Sequence, residues 1–105
     1  MALTIDKPWR PADQVPQVPA QLGVFELADA AGVVVFIGVA DARSLFGLRG
    51  AVADALQAVP GAAGFRYEST SAYHTRYREL LMVHQATHGA LPVHNAPMQL
   101  GRLQP

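Results

Sequence analysis

From residue 22 to residue 38 the chain writes two strand-like runs around one turn, and this stretch restricts the fold more than any other. Leu22-Gly23-Val24-Phe25-Glu26-Leu27 alternates well enough for a strand, and Val33-Val34-Val35-Phe36-Ile37-Gly38 is β-branched and aromatic. Both compositions suit a pleated, half-buried surface. Asp29-Ala30-Ala31-Gly32 supplies turn residues between them, so the spacing predicts a hairpin with a loop of about four or five residues. A lone hairpin is marginal in water, and this one needs further strands and helical cover.

That cover is written downstream. Asp41 is placed to cap a helical segment, Gly47 and Gly50 interrupt it, and Ala51-Val52-Ala53-Asp54-Ala55-Leu56 continues it with good helix formers. Pro60-Gly61-Ala62-Ala63-Gly64 stops that helix, and Phe65-Arg66-Tyr67-Glu68-Ser69 returns to strand alternation. Ser71 then opens a second helix that runs to about His88 and closes at Gly89. Its Tyr73, Tyr77, Leu80, Leu81 and His84 share one face, with Glu79 at the flank beside Arg76 and Val83. The order strand, strand, helix, strand, helix predicts an α/β domain: a small three-stranded, mainly antiparallel sheet flanked by helices.

The ends read differently. Residues 1–21 carry Pro8, Pro11, Pro16 and Pro19, which remove amide donors and suit neither a helix interior nor a central strand. The expectation is an extended leader whose Trp9, Val15 and Val18 pack across a neighbouring surface. The folded domain is expected over 22–97 and a C-terminal tail over 98–105.

Composition narrows the function classes. Lys and Arg number 8 against 8 Asp and Glu, and charged residues make up only 15% of the 105, which disfavours a strongly basic nucleic-acid binder and a charge-solvated disordered chain. There is no cysteine, hence no disulfide framework and no thiolate chemistry. The longest apolar run, Gly32 to Ala40, is about half of what a membrane-spanning helix needs, and the first residues are neither basic nor apolar enough for a secretory signal. A soluble, cytoplasmic protein with no membrane contact is therefore expected. An apolar fraction of 50% in so short a chain points to surface buried against a protein partner or a second copy, a homo-oligomer.

Few residues offer chemistry. His84 and His88 are spaced i, i+4, with His74 or His94 as third ligands for zinc, but no Glu follows His84 as in a zincin, and ordinary surface histidines are the preferred reading. Ser44, Ser69 and Ser71 lack a nucleophile elbow, and the glycines are not followed by the Lys-Ser/Thr of a phosphate loop. Glu79 is the one acid on a periodic helix flank away from the termini; a carboxylate there can hold Mg²⁺, with Arg43 or Arg49 neutralising a phosphodiester. From spacing alone, a solvated Glu79 paired with Arg76 or Arg78 is preferred.

Gly23-Val24-Phe25, followed after about ten residues by Phe36-Ile37-Gly38, resembles the paired signature of the GIY-YIG nuclease superfamily. The likeness continues through an Arg-bearing helix, the strand Phe65 to Thr70, Glu79 with Met82-Val83 after it, and a closing Pro92-Val93-His94-Asn95, over residues 22 to 95. The resemblance implies an active site on the sheet surface where two tyrosines, an arginine and a glutamate surround a phosphate. It assigns the motif positions to Gly23, Phe25, Phe36, Gly38 and Asn95, and the metal carboxylate to Glu79. Both tyrosine positions are phenylalanine, which keeps the ring but has no hydroxyl to orient water or relay a proton. The family's arginine falls at Phe46; an insertion around Leu45 to Gly47 would bring Arg49 into place, with Arg43 the alternative. The resulting expectation is a divergent domain with a degenerate active site, non-catalytic or altered, working through protein or weak nucleic-acid contacts. Its alternative is a Mg²⁺- or Mn²⁺-dependent endonuclease with catalytic Arg49 and Glu79. Net zero charge gives little general attraction for a polyanion.

Overall fold

A computed structural model describes residues 4–95. The hairpin forms as β2 (Gly23–Ala28) and β3 (Val34–Ala40), preceded by a short β1 (Arg10–Pro11) and followed by α1 (Gly47–Ala58), β4 (Gly64–Ser69) and α2 (Tyr73–His88). The sheet is antiparallel with order β1-β4-β2-β3, so it has four strands where the sequence predicts three. The extra strand comes from the leader: Arg10 and Pro11 pair with Phe65 and Gly64 at an edge, where a proline's missing amide is tolerated.

β2 lies between β4 and β3 and every one of its residues is buried. Because successive side chains point to opposite faces, it feeds two cores. Phe25 and Leu27 join Val35, Phe65, Leu48, Val52 and Val59 beneath α1. Val24 joins Ile5, Ile37, Leu80 and Leu81 beneath α2. Fully burying a Leu, Ile or Phe side chain is worth about 1.5–3 kcal/mol, so this two-sided arrangement supplies the stability a bare hairpin lacks.

The leader is held against the sheet. Ile5 and Val18 are buried, Val15 packs on the α1 core, and residues 12–17 form a 3-10 helix rather than an extended segment. Proline's fixed φ is compatible with such a turn, which explains why a proline-rich run is not uniformly extended. Trp9 lies over the Arg66 guanidinium, 4.1 Å from centroid to Cζ, which is where its expected packing is realised.

Turn chemistry departs from expectation at two helix starts. Asp41 accepts hydrogen bonds from the Arg43 amide (2.9 Å) and the Ser44 hydroxyl, closing a turn ahead of α1 rather than capping the helix. α1 instead starts after Phe46, which sits in the left-handed region (φ 63) with 64% of its surface exposed. α2 begins at Tyr73, two residues after Ser71, with Thr70 Oγ1 accepting from the Ala72 amide. The hairpin loop follows the sequence: Asp29 Oδ1 accepts from the Ala31 and Val33 amides, and Gly32 takes φ 84.

Beyond α2 the chain returns to the free edge of β3. The His94 amide donates to the Val35 carbonyl (3.0 Å), and Asn95 contributes both halves of its side-chain amide. Its Oδ1 accepts from the Ile37 amide and its Nδ2 donates to the Ile37 carbonyl, both at 2.9 Å. The expected tail 98–105 and the last residues of the expected domain lie outside the described residues.

Candidate functional site

The motif positions meet on the α1 side of the sheet. Phe25 and Gly38 are directly paired across β2 and β3, and a Cβ at Gly38 would run into the Phe25 ring. Glycine is required there because the tip of the Phe25 ring, its Cζ and Cε atoms, fills the space that a Cβ would take. Phe36 stands two residues away on the same face, its ring centroid 6.1 Å from that of Phe25 and tilted by 45°. Gly23 approaches β4 so closely that a Cβ would meet the Glu68 carbonyl.

These rings line a cavity of about 380 Å³ that opens beside β3. Ala51, Asp54, Ala55 and Ala58 of α1 form another wall, at the spacing that puts residues on one helix face. Tyr77 of α2 reaches it from the other side of the sheet. Burial raises the Tyr77 phenol above its ordinary pKa, so it stays a neutral hydroxyl at physiological pH. Asp54 is solvent-accessible and, among the described residues, is the one charged side chain lining this cavity.

The two residues assigned to catalysis are held on opposite sides of the sheet. Arg49, in the first turn of α1, donates from Nε to the Val18 carbonyl at 2.8 Å, tying the leader to the helix. Arg43 is exposed in the turn before α1 and lies 3.6 Å from the Asp41 carboxylate. Glu79 is on α2, where Arg76 donates from Nη1 to its Oε1. The same guanidinium binds Glu68 of β4, Nε to Oε2 at 2.8 Å and Nη2 to Oε1 at 3.1 Å, and donates to the Thr4 carbonyl. The Glu68 hydrogen bonds and charge raise the pKa of Arg76, reinforced by Glu79, so this centre is firmly cationic.

A divalent cation fits this surrounding poorly. Glu79 shares its cavity with Thr75, Arg78, Met82 and Val83, and the one carboxylate is already charge-paired with Arg76. A metal ion would have to compete with a guanidinium that is also pinned by Glu68. No group of three or more His, Cys, Asp or Glu able to hold a metal occurs among the described residues. His84 and His88 do stack, with centroids 4.3 Å apart, and burial together with the neighbouring His88 lowers the His84 pKa. His74 lies against Tyr73, and His94 is exposed at the end of β3.

A second polar feature is buried under the leader. Glu26 is 3% exposed at the centre of the sheet, facing α2, and Arg66 donates from Nε to its Oε1 at 2.6 Å. Burial raises the Glu26 pKa, with the Arg66 hydrogen bond and charge acting against it. On the opposite face Lys7 and Arg10 lie 5.6 and 5.8 Å from the Tyr67 ring, which stacks on Phe65. Sequence reasoning passed over both Asp54 and the Glu26–Arg66 pair. Asp54 carried a signal, being the one acid in an alanine-rich helix; the buried pair is legible only once β2 and β4 are known to be neighbours.

The fold and this geometry define a small α/β domain built on a four-stranded antiparallel sheet, with an aromatic cavity on the α1 side and an Arg-centred carboxylate network on the α2 side. The family model described as a domain of unknown function (DUF7508) matches residues 1–87, and the chain belongs to that family. The match takes in the leader together with the hairpin, α1, β4 and nearly all of α2. A comparison with curated proteins finds no match. No helix among the described residues is long and apolar enough to cross a membrane.

Proposed function

We propose that the chain is a divergent, GIY-YIG-like domain that does not cleave phosphodiesters and acts by holding a protein partner. The observation that carries this reading is the engagement of Glu79 by Arg76, which neutralises the carboxylate that metal-dependent cleavage would use. Two further features support it. Phe25 and Phe36 bring no hydroxyl to the sheet surface, and the Arg49 Nε is committed to the Val18 carbonyl. A protein partner is favoured over a polyanion because positive and negative residues are equal in number. Leu45 and Phe46, 75% and 64% exposed, add an adjacent apolar pair beside the polar trough of Ser44, Ser69 and Ser71.

The test is cleavage of single-stranded, duplex and branched DNA and RNA with Mg²⁺ or Mn²⁺, using the full chain beside Glu79→Ala and Arg49→Ala. No metal-dependent product is expected from any of the three. Products made by the unaltered chain and lost in Glu79→Ala would overturn the reading and establish a metal-dependent endonuclease instead.

A further inference from the structure

Asp54 occupies an unusual position for an exposed acid. It lies mid-helix, and its helical neighbours Gly50, Ala51, Gln57 and Ala58 include no cation. Among the described residues its side chain has no hydrogen bond or ion pair, whereas Glu26, Asp41, Glu68 and Glu79 each have a cationic partner. The cavity it faces is lined by two half-buried rings, Phe36 and Tyr77, by the edge of Phe25, itself 2% exposed, and by otherwise apolar or small walls. Ring faces carry negative partial charge and attract an alkylammonium, and a nearby carboxylate adds full charge complementarity. The alanines of α1 leave a smooth apolar strip between rings and carboxylate, suited to an aliphatic stem.

We propose that this cavity seats a lysine side chain of the partner protein, its methylene stem along Ala51 and Ala55 and its ammonium between the aromatic rings and Asp54. The inference rests on the reading of the chain as a protein-binding domain and names the chemistry of the group it holds. The occupant is an alkylammonium because the strip along Ala51 and Ala55 takes a flexible methylene stem and delivers a compact charge to the Asp54 carboxylate.

The test uses the isotopically labelled full chain, titrated with a short capped peptide carrying one central lysine and with the same peptide carrying ε-acetyl-lysine, which keeps the stem and removes the charge. The lysine peptide is expected to shift the backbone amide signals of Gly38 and Ala55, with the acetylated peptide weaker by roughly fivefold or more. Asp54→Asn is expected to weaken the lysine peptide to a similar extent, and Phe36→Leu to weaken it while the spectrum stays dispersed. Equal shifts from both peptides, insensitivity to Asp54→Asn, or no shift at Gly38 and Ala55 would each overturn the proposal. Choline, titrated in parallel, is expected to bind more weakly than the lysine peptide; choline binding alone would refute a side-chain occupant. Metal-dependent cleavage in the separate nuclease assay would remove the non-catalytic reading, whereas absent shifts with absent cleavage would remove this inference only.

Discussion

Replacing Arg66 by Met leaves the Glu26 carboxylate in the middle of the sheet without its hydrogen-bond donor and nearest counter-charge, with only the weaker pull of the Arg76 charge left. At 2.6 Å and an effective dielectric of ~20, the pair's attraction is about 6 kcal/mol. Desolvating both ions consumes several kcal/mol each, so the intact pair is close to neutral for stability while the broken one is not. The orphaned carboxyl escapes by taking a proton. From an ordinary value of 4.5, holding it protonated at about pH 7 costs about 3 kcal/mol, at 1.36 kcal/mol per pH unit, and at about pH 5 costs under about 1 kcal/mol. Loss of the Trp9 stack on the guanidinium adds about 0.5–1 kcal/mol at either pH. Arg66→Met is therefore expected to lose about 4 kcal/mol near pH 7 and about 1.5 kcal/mol near pH 5. Urea unfolding followed by far-ultraviolet circular dichroism at both pH values measures this, with unchanged slopes confirming a two-state comparison. The double variant Glu26→Leu with Arg66→Met has no carboxyl to protonate, so its loss should be small at both pH values. A single-variant loss that does not shrink on acidification, or a double variant as unstable as the single, would refute the reasoning.

Asn95→Ala removes two hydrogen bonds to the edge strand and should cost about 1–2 kcal/mol, with faster hydrogen exchange at the Ile37 amide as the local readout. His84 gives the sign of a pH dependence. Its folded pKa lies below the ordinary 6.5, so the unfolded chain binds more protons between the two values. Stability should therefore rise with pH through that window and fall as pH drops below about 6.5. His84→Gln should flatten that slope in denaturant midpoints measured across it.

The parts of the fold legible in the sequence are those whose local chemistry and tertiary setting agree. The hairpin, both helices and the strand after Pro60-Gly61 fall within a few residues of where periodicity and turn residues put them, because each pattern is repeated over several residues. Helix starts were harder to read: Asp41 bonds its own turn, and α1 begins behind a left-handed Phe46 that no capping rule anticipates. The leader's share in the sheet was hidden because two residues of edge strand leave no period to detect. Of the site, Glu79 paired with Arg76 as the spacing favoured, and Phe25, Phe36 and Gly38 do stand together. The opposition of Arg49 and Glu79 across the sheet depends on which face each helix covers, information that exists only after the strands are ordered.

The way Asn95 meets Ile37 reaches further than its two hydrogen bonds. A side-chain amide has the donor and acceptor of a peptide group, so at Ile37 the outer edge of β3 receives the two partners that a further strand would bring there. At the opposite border β1 is two residues long and ends in a proline. The rims are thus blocked at Ile37 and over Gly64 and Phe65, and at those positions the sheet resists the edge-to-edge addition of another copy.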